Sequence, residues 1–141
     1  MKFGKLAQWL LGAATAVVCG AAEPNPTTPP SAEPAAGVRH VDPAGAGKLI
    51  QEKNVIVLDI RTPEEFKAGH IAGATNLNFN AGDFAQKLDQ LDKEKTYLLH
   101  CASGRRSTAS LETFKRLKFK SIIHLDGGLK AWQKAGKPIE N

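Results

Sequence analysis

Cysteine is scarce in this chain: Cys19 and Cys101 are the only two among 141 residues. Two cysteines cannot build a disulfide-braced scaffold, and position 104 is Gly, so there is no Cys-x-x-Cys redox pair. Histidine is sparse as well; His40, His70 and His124 lie scattered without the spacing of a metal site, and neither metal nor cofactor is expected. Charge of one sign is also modest. The formal net charge is +5, and without Lys2 and Lys5 it would be +3. That is too dilute for the dense basic stripe a nucleic-acid binder needs.

What is present begins with a leader-like segment. Lys2 and Lys5 precede an apolar run from Leu6 to Ala22, which ends in Gly20-Ala21-Ala22. A basic start, an apolar centre and a small-residue end are the pattern of a secretory signal peptide over residues 1–22, cut before Glu23. The run is short and diluted by Gly12, Ala13, Ala14 and Thr15, which favours cleavage over a retained span. Cys19 offers an alternative, lipidation and a membrane tether. Val18 in front of it argues against that, since a small residue is usual there. The expected location is therefore exported, periplasmic or secreted, with the tethered lipoprotein as the lesser alternative. Membrane contact is expected only through that leader or lipid. After cleavage Cys101 is the sole thiol, and an unpaired thiol in an oxidising compartment must be buried or used.

Residues 23–37 read EPNPTTPPSAEPAAG and hold five of the eight prolines with no large apolar residue. Such a segment cannot bury a core and reads as an extended tether. One domain is expected over residues 38–141. Strand-like runs at Val38–Val41, Val55–Ile60, Thr75–Phe79, Thr96–His100 and Ser121–Leu125 alternate with helical patterns. The helices run from Asp42-Pro43 to Ile50, from Thr62-Pro63 with Glu65 closing a capping box, and over Asp83–Leu91, Ser107–Leu117 and Gly127–Ala135. This rhythm predicts an α/β fold with a mainly parallel five-stranded sheet and helices on both faces. Ligands of such sheets bind at the carboxyl ends of strands.

Cys101 stands at one of those ends. Behind it come Ala102, Ser103, Gly104, Arg105 and Arg106, and then a helix that the pattern opens at Ser107. A tight loop of small residues feeding a helix turns backbone N–H groups inward and makes an anion cradle. Gly104 supplies the torsional freedom such a loop needs. The cradle lowers the thiol pKa and holds an anion beside the sulfur, and the two arginines add positive charge. Nucleophilic attack by a thiolate on an anionic substrate follows. Adjacent loop residues seldom both point inward, so one of Arg105 and Arg106 is expected to be a solvated charge. His100 faces the other side of its strand from Cys101 and is expected to be structural.

These residues resemble the rhodanese family. Cys101, Gly104, Arg106 and Ser107 are similar to its Cys-x-x-Gly-x-Arg-Ser loop. Asp59-Ile60-Arg61 with Pro63-Glu64-Glu65-Phe66, Gly69-His70-Ile71-Ala72-Gly73-Ala74, and Asp126-Gly127-Gly128 with Trp132 resemble further family motifs in the same order. The resemblance implies a sulfurtransferase. The Cys101 thiolate would take sulfane sulfur from a donor such as thiosulfate and pass it, as a persulfide, to cyanide or a thiol. It implies that Arg106 is the inward arginine. It gives Asp59 and Arg61 a supporting role, orienting the loop through hydrogen bonds, with a structural salt bridge as the equal alternative. The partners would be a small anionic donor and a thiol or cyanide acceptor, with no nucleic acid, and the chain would act as a monomer. The family often has Gly after the helix that follows the loop; here it is Lys118.

Two rivals remain. Cysteine phosphatases and arsenate reductases resemble a Cys-x5-Arg loop, one residue longer, and the corresponding position here is Ser107. A persulfide carrier or an inactive interaction domain is the other, although inactive members typically lack the cysteine.

Overall fold

The computed structural model describes residues 37–141. The expected leader (1–22), Cys19 and all of the tether except Gly37 lie outside the described residues. Gly37 itself opens the first strand.

Five strands, β1 (Gly37–Val41), β2 (Val55–Asp59), β3 (Thr75–Asn76), β4 (Thr96–His100) and β5 (Ser121–Leu125), form one sheet in the order β1-β5-β4-β2-β3, every pairing parallel. The helices are α1 (Pro43–Ile50), α2 (Pro63–Lys67), α3 (Phe84–Asp89), α4 (Arg105–Arg116) and α5 (Gly128–Lys134). Parallel strands buried on both faces need apolar residues on both, and β4 supplies them. Tyr97 and Leu99 join Leu58, Ile60, Ile122, Phe84 of α3 and Phe114 of α4 in one core. Leu98 joins Val57, Ile123, Leu125, Ala46 of α1 and Leu129 and Trp132 of α5 in the other. Each fully buried Leu contributes about 1.5–3 kcal/mol.

Local chemistry sets the ends of the elements. Asp42 accepts the Gly45 N–H at 2.7 Å and caps α1, with Pro43 following. Thr62 and Glu65 close a reciprocal capping box on α2, with bonds of 3.3 and 3.1 Å. Among the boundaries that differ from the pattern, two have a local cause. β3 is two residues long, because Leu77 and Phe79 donate instead to the Asp59 and Ile60 carbonyls beyond it. α4 opens at Arg105, two residues early, because Gly104 at φ 95° takes the cap position and its carbonyl accepts the Thr108 N–H at 3.0 Å. Arg105 and Arg106 are therefore first-turn helical residues rather than loop.

α4 ends in a Schellman turn. Lys118 donates to the Lys115 carbonyl, Phe119 to that of Phe114, and the two phenyl rings pack at 5.0 Å. The turn forces Lys118 to φ 62°, and it is the only described non-glycine residue with positive φ. Glycine removes the Cβ penalty there. Lys118→Gly is expected to raise stability by about 0.5–1 kcal/mol, less what the more flexible unfolded chain takes back. A urea midpoint that falls instead of rising would contradict this reading of the turn.

Chain progression reverses at the centre of the sheet: β3 lies outside β2, and β5 lies on the other side of β4. The carboxyl end of β4 is thus at the crevice where open α/β sheets take their ligands.

Candidate active site

Cys101 follows the last residue of β4 and is 1% exposed. Its sulfur lies under the first turn of α4. The Gly104 N–H donates to Sγ at 3.1 Å, and the Ser107 hydroxyl lies 3.5 Å from it. Burial pushes the thiol up, but the Ser107 hydroxyl and the backbone N–H groups of Ser107, Ser103 and Gly104 outweigh it. The net position is below the ordinary thiol value. These donors shift the balance toward thiolate in a site closed to bulk water.

The loop is held from behind by α5. Leu129 donates to the Cys101 carbonyl at 2.8 Å and Lys130 to that of Ala102 at 3.0 Å. This contact explains Gly128, whereas a Cβ on its neighbour Gly127 would meet Ala131 of the same helix instead. A Cβ on Gly128 would overlap the Cys101 carbonyl oxygen and stand 2.8 Å from the Ala102 carbonyl carbon. Both glycines have positive φ, at 75° and 60°. The helix can approach the nucleophile's backbone only without a side chain at Gly128.

Of the two arginines, Arg106 is paired with Glu65, with Nη1 and Nη2 at 2.7 and 2.8 Å from the two carboxylate oxygens. The bidentate pair holds the Glu65 carboxyl at about 2. Arg106 also lends positive charge and a donor to the Cys101 sulfur, and only part of its N–H fork is spent on Glu65. Arg105 is exposed and makes no ion pair among the described residues. It borders the hollows on both sides of the loop. One, of about 360 Å³, is lined by Phe79, Ser103, Arg105, Arg106 and Ala109. The other is lined by Ser103, Gly104, Thr108, His124 and Asp126 as well as Arg105.

Asp59 and Arg61 are buried together. Arg61 Nε donates to both Asp59 oxygens at 2.9 Å, Nη2 to Oδ2 at 2.6 Å, and the backbone N–H to Oδ1 at 3.0 Å. Nη2 also holds the Gly69 carbonyl at 2.7 Å. The hydrogen bonds of this carboxylate go to Arg61 and not to the cysteine loop. The expected orienting bonds are absent among the described residues, and the salt-bridge alternative describes the geometry. Its link to the site is indirect: Asp59 pairs in register with His100, next to the nucleophile. His100 is fully buried. Its Nδ1 lies 3.2 Å from the Cys101 carbonyl, while Nε2 has no hydrogen-bond partner. Burial holds it below the ordinary imidazole value, so the neutral ring is favoured.

The sequence reading missed one grouping. His40 and His124 face each other across β1 and β5, and both imidazoles meet Asp126, at 2.7 and 3.0 Å from the same carboxylate oxygen. The other nitrogen of His124 is 2.8 Å from Ser107 Oγ. Only the adjacency of the first and last strands brings residues 40 and 126 together. The two-residue step from His124 to Asp126 was the sole local signal.

Strand order, the cysteine cradle and the glycine-backed loop together define an α/β domain of the rhodanese class. A profile of the rhodanese-like domain matches residues 42–135. The chain belongs to that family. It is 38% identical over 98 residues to the uncharacterised protein slr1261 of Synechocystis, covering 70% of this chain and 54% of that one. The chain thus spans about half the length of that relative. It is 28% identical over 101 residues to the thiosulfate sulfurtransferase GlpE of Vibrio cholerae, covering 72% of this chain and 93% of GlpE. Among solved structures, a rhodanese-related protein of Thermoplasma volcanium superposes with a TM-score of 0.65 at 30% identity, over 72% of this chain and 97% of that one.

Proposed function

We propose that this chain is a sulfurtransferase that carries sulfane sulfur as a persulfide on Cys101. The observation that carries the reading is the cradle: a buried thiol at a strand end, met by the Gly104 N–H at 3.1 Å and the Ser107 hydroxyl at 3.5 Å. The Cys101 thiolate attacks the outer sulfur of thiosulfate. A sulfur–sulfur bond forms on Sγ, the donor's own sulfur–sulfur bond breaks, and sulfite leaves with the electron pair. The inward N–H groups then hold the persulfide anion. Arg106, steadied by Glu65, and Arg105, with no carboxylate on its fork, meet the incoming oxyanion at the mouth. Cyanide or an external thiol removes the outer sulfur and regenerates the thiolate. No second cysteine follows within the loop to act as a resolving thiol. The kinship with GlpE supports this donor. Residues 1–22 would export the protein, with Cys19 lipidation as the alternative, and the domain would work as a monomer.

Incubation with thiosulfate is expected to add the mass of one sulfur atom to the chain, and cyanide should remove it as thiocyanate. Intact-mass spectrometry reads both steps. An adduct without thiocyanate turnover would make the chain a carrier. No adduct from several donors would make it an interaction module. Hydrolysis of an aryl phosphate that depended on Cys101 would replace sulfur by phosphorus as the substrate centre.

A further inference from the structure

His124 is only 3% exposed, yet both its ring nitrogens are engaged. Nδ1 is 3.0 Å from Asp126 Oδ1 and Nε2 is 2.8 Å from Ser107 Oγ. An ionised carboxylate only accepts, so Nδ1 carries the hydrogen that points at Asp126. In the neutral ring Nε2 is then bare and accepts from the Ser107 hydroxyl. The Ser107 oxygen in turn offers a lone pair to the Cys101 sulfur 3.5 Å away. The Gly104 carbonyl, 3.0 Å from the same oxygen, is the hydroxyl's other acceptor. The groups that face the ring are His40 from β1, Ser107 and Arg105 from α4, and Asp126 beyond β5, with Cys101 reached through Ser107.

We propose that His124, working through Ser107, takes up the proton of the Cys101 thiol, with Asp126 and His40 fixing the tautomer that makes this direction available. The proposal deepens the persulfide reading and rests on Cys101 being the attacking sulfur. The step moves one charge and breaks no heavy-atom bond. The thiol proton goes to Ser107 Oγ while the Ser107 hydroxyl proton goes to His124 Nε2. The result is a thiolate and an imidazolium, and every bond in the chain has turned round. Nε2–H now donates to Ser107, and Ser107 donates to the thiolate. The imidazolium is paired with Asp126, which His40 Nδ1 holds at 2.7 Å. His124 is a positioning residue in this scheme, because it reaches the sulfur only through Ser107.

The test needs no sulfur donor. The ultraviolet thiolate absorbance of the full chain is followed against pH, with Cys101→Ser subtracted so that Cys19 and Tyr97 cancel. In His124→Gln the amide can still bond to Ser107 but cannot take a proton, and the midpoint for Cys101 is expected to rise by about one pH unit. Ser107→Ala should give a similar rise, and the double variant should add little to either single change, since the two act in series. Asp126→Asn, altering a side chain 56% exposed, should move the curve the same way by less. It decides the matter if His124→Gln fails to fold. Curves unmoved in both His124→Gln and Asp126→Asn, or fully additive shifts in the double variant, would overturn the relay. A working relay with no sulfur adduct would sink the sulfurtransferase reading alone.

Discussion

Cys101→Ser is expected to abolish both the sulfur adduct and thiocyanate formation while leaving the domain folded. The chemical part of the effect is close to absolute. A serine hydroxyl in the same cradle stays protonated at neutral pH, and its oxygen does not form the sulfur–sulfur bond that carries the transferred atom. Removing a covalent nucleophile of this kind lowers turnover by about 10⁴-fold or more. The structural part is small. Cys101 is 1% exposed and packs at the edge of a core with Leu58, Leu99 and Phe114. A buried hydroxyl needs partners, and the Gly104 N–H and Ser107 hydroxyl that surround the sulfur supply them. The expected cost is about 1 kcal/mol, or roughly 5 °C in Tm for a domain of this size. The measurement is intact mass after thiosulfate, paired with a thermal scan. A sulfur adduct persisting on the serine variant would move the carrier to another residue, Cys19 first.

The chemistry of that cysteine is local, which is why it can be read without coordinates. A buried strand, a run of small residues and a helix start occupy eleven consecutive positions from Tyr97 to Ser107. Backbone geometry then decides where the inward N–H groups fall. The same holds for the capping box of Thr62 and Glu65, a matter of residues within one turn. What is not local is hidden. Arg106 lies 41 positions from Glu65, and nothing in either segment announces that the guanidinium will pair with that carboxylate. His40 lies 86 positions from Asp126, and their contact depends on β1 lying beside β5, an arrangement that periodicity does not specify. The start of α4 is obscured for a different reason. Gly104 reads as a helix breaker, yet its left-handed torsion is what lets the helix begin at the next residue. Four family-like motifs could be recognised in order, but their physical jobs differ from one another. One grips the nucleophile, one closes an interior ion pair, and in a third Gly128 clears room for the Cys101 carbonyl.

The interior ion pair leads to the largest expected effect on stability, from Arg61→Ala. The guanidinium is 6% exposed and the Asp59 carboxylate is wholly buried. Truncation at Arg61 deletes the Nε and Nη2 bonds and leaves the carboxylate with the backbone N–H of residue 61 at 3.0 Å. It also leaves the Gly69 carbonyl without its 2.7 Å donor. His100, its Nε2 3.8 Å from Asp59 Oδ2, is too far for a good hydrogen bond and is favoured neutral by burial. An uncompensated buried charge of this sort costs about 3–5 kcal/mol. A small domain has about 5–15 kcal/mol in all, so the variant would sit near the edge of folding at 25 °C. Removing both charges is a different matter. Asp59→Asn with Arg61→Met leaves no buried ion and is expected to recover a substantial part of the loss, a coupling that a double-mutant cycle in urea measures directly. The function should follow stability and not the charge itself. The pair makes no hydrogen bond to the cysteine loop, so the folded fraction of Arg61→Ala is expected to take up sulfur on Cys101 within a few-fold of the parent rate. A variant that kept its urea midpoint and lost the adduct would put Arg61 in contact with the donor instead. The geometry argues against that, because all its guanidinium hydrogen bonds end on Asp59 and Gly69.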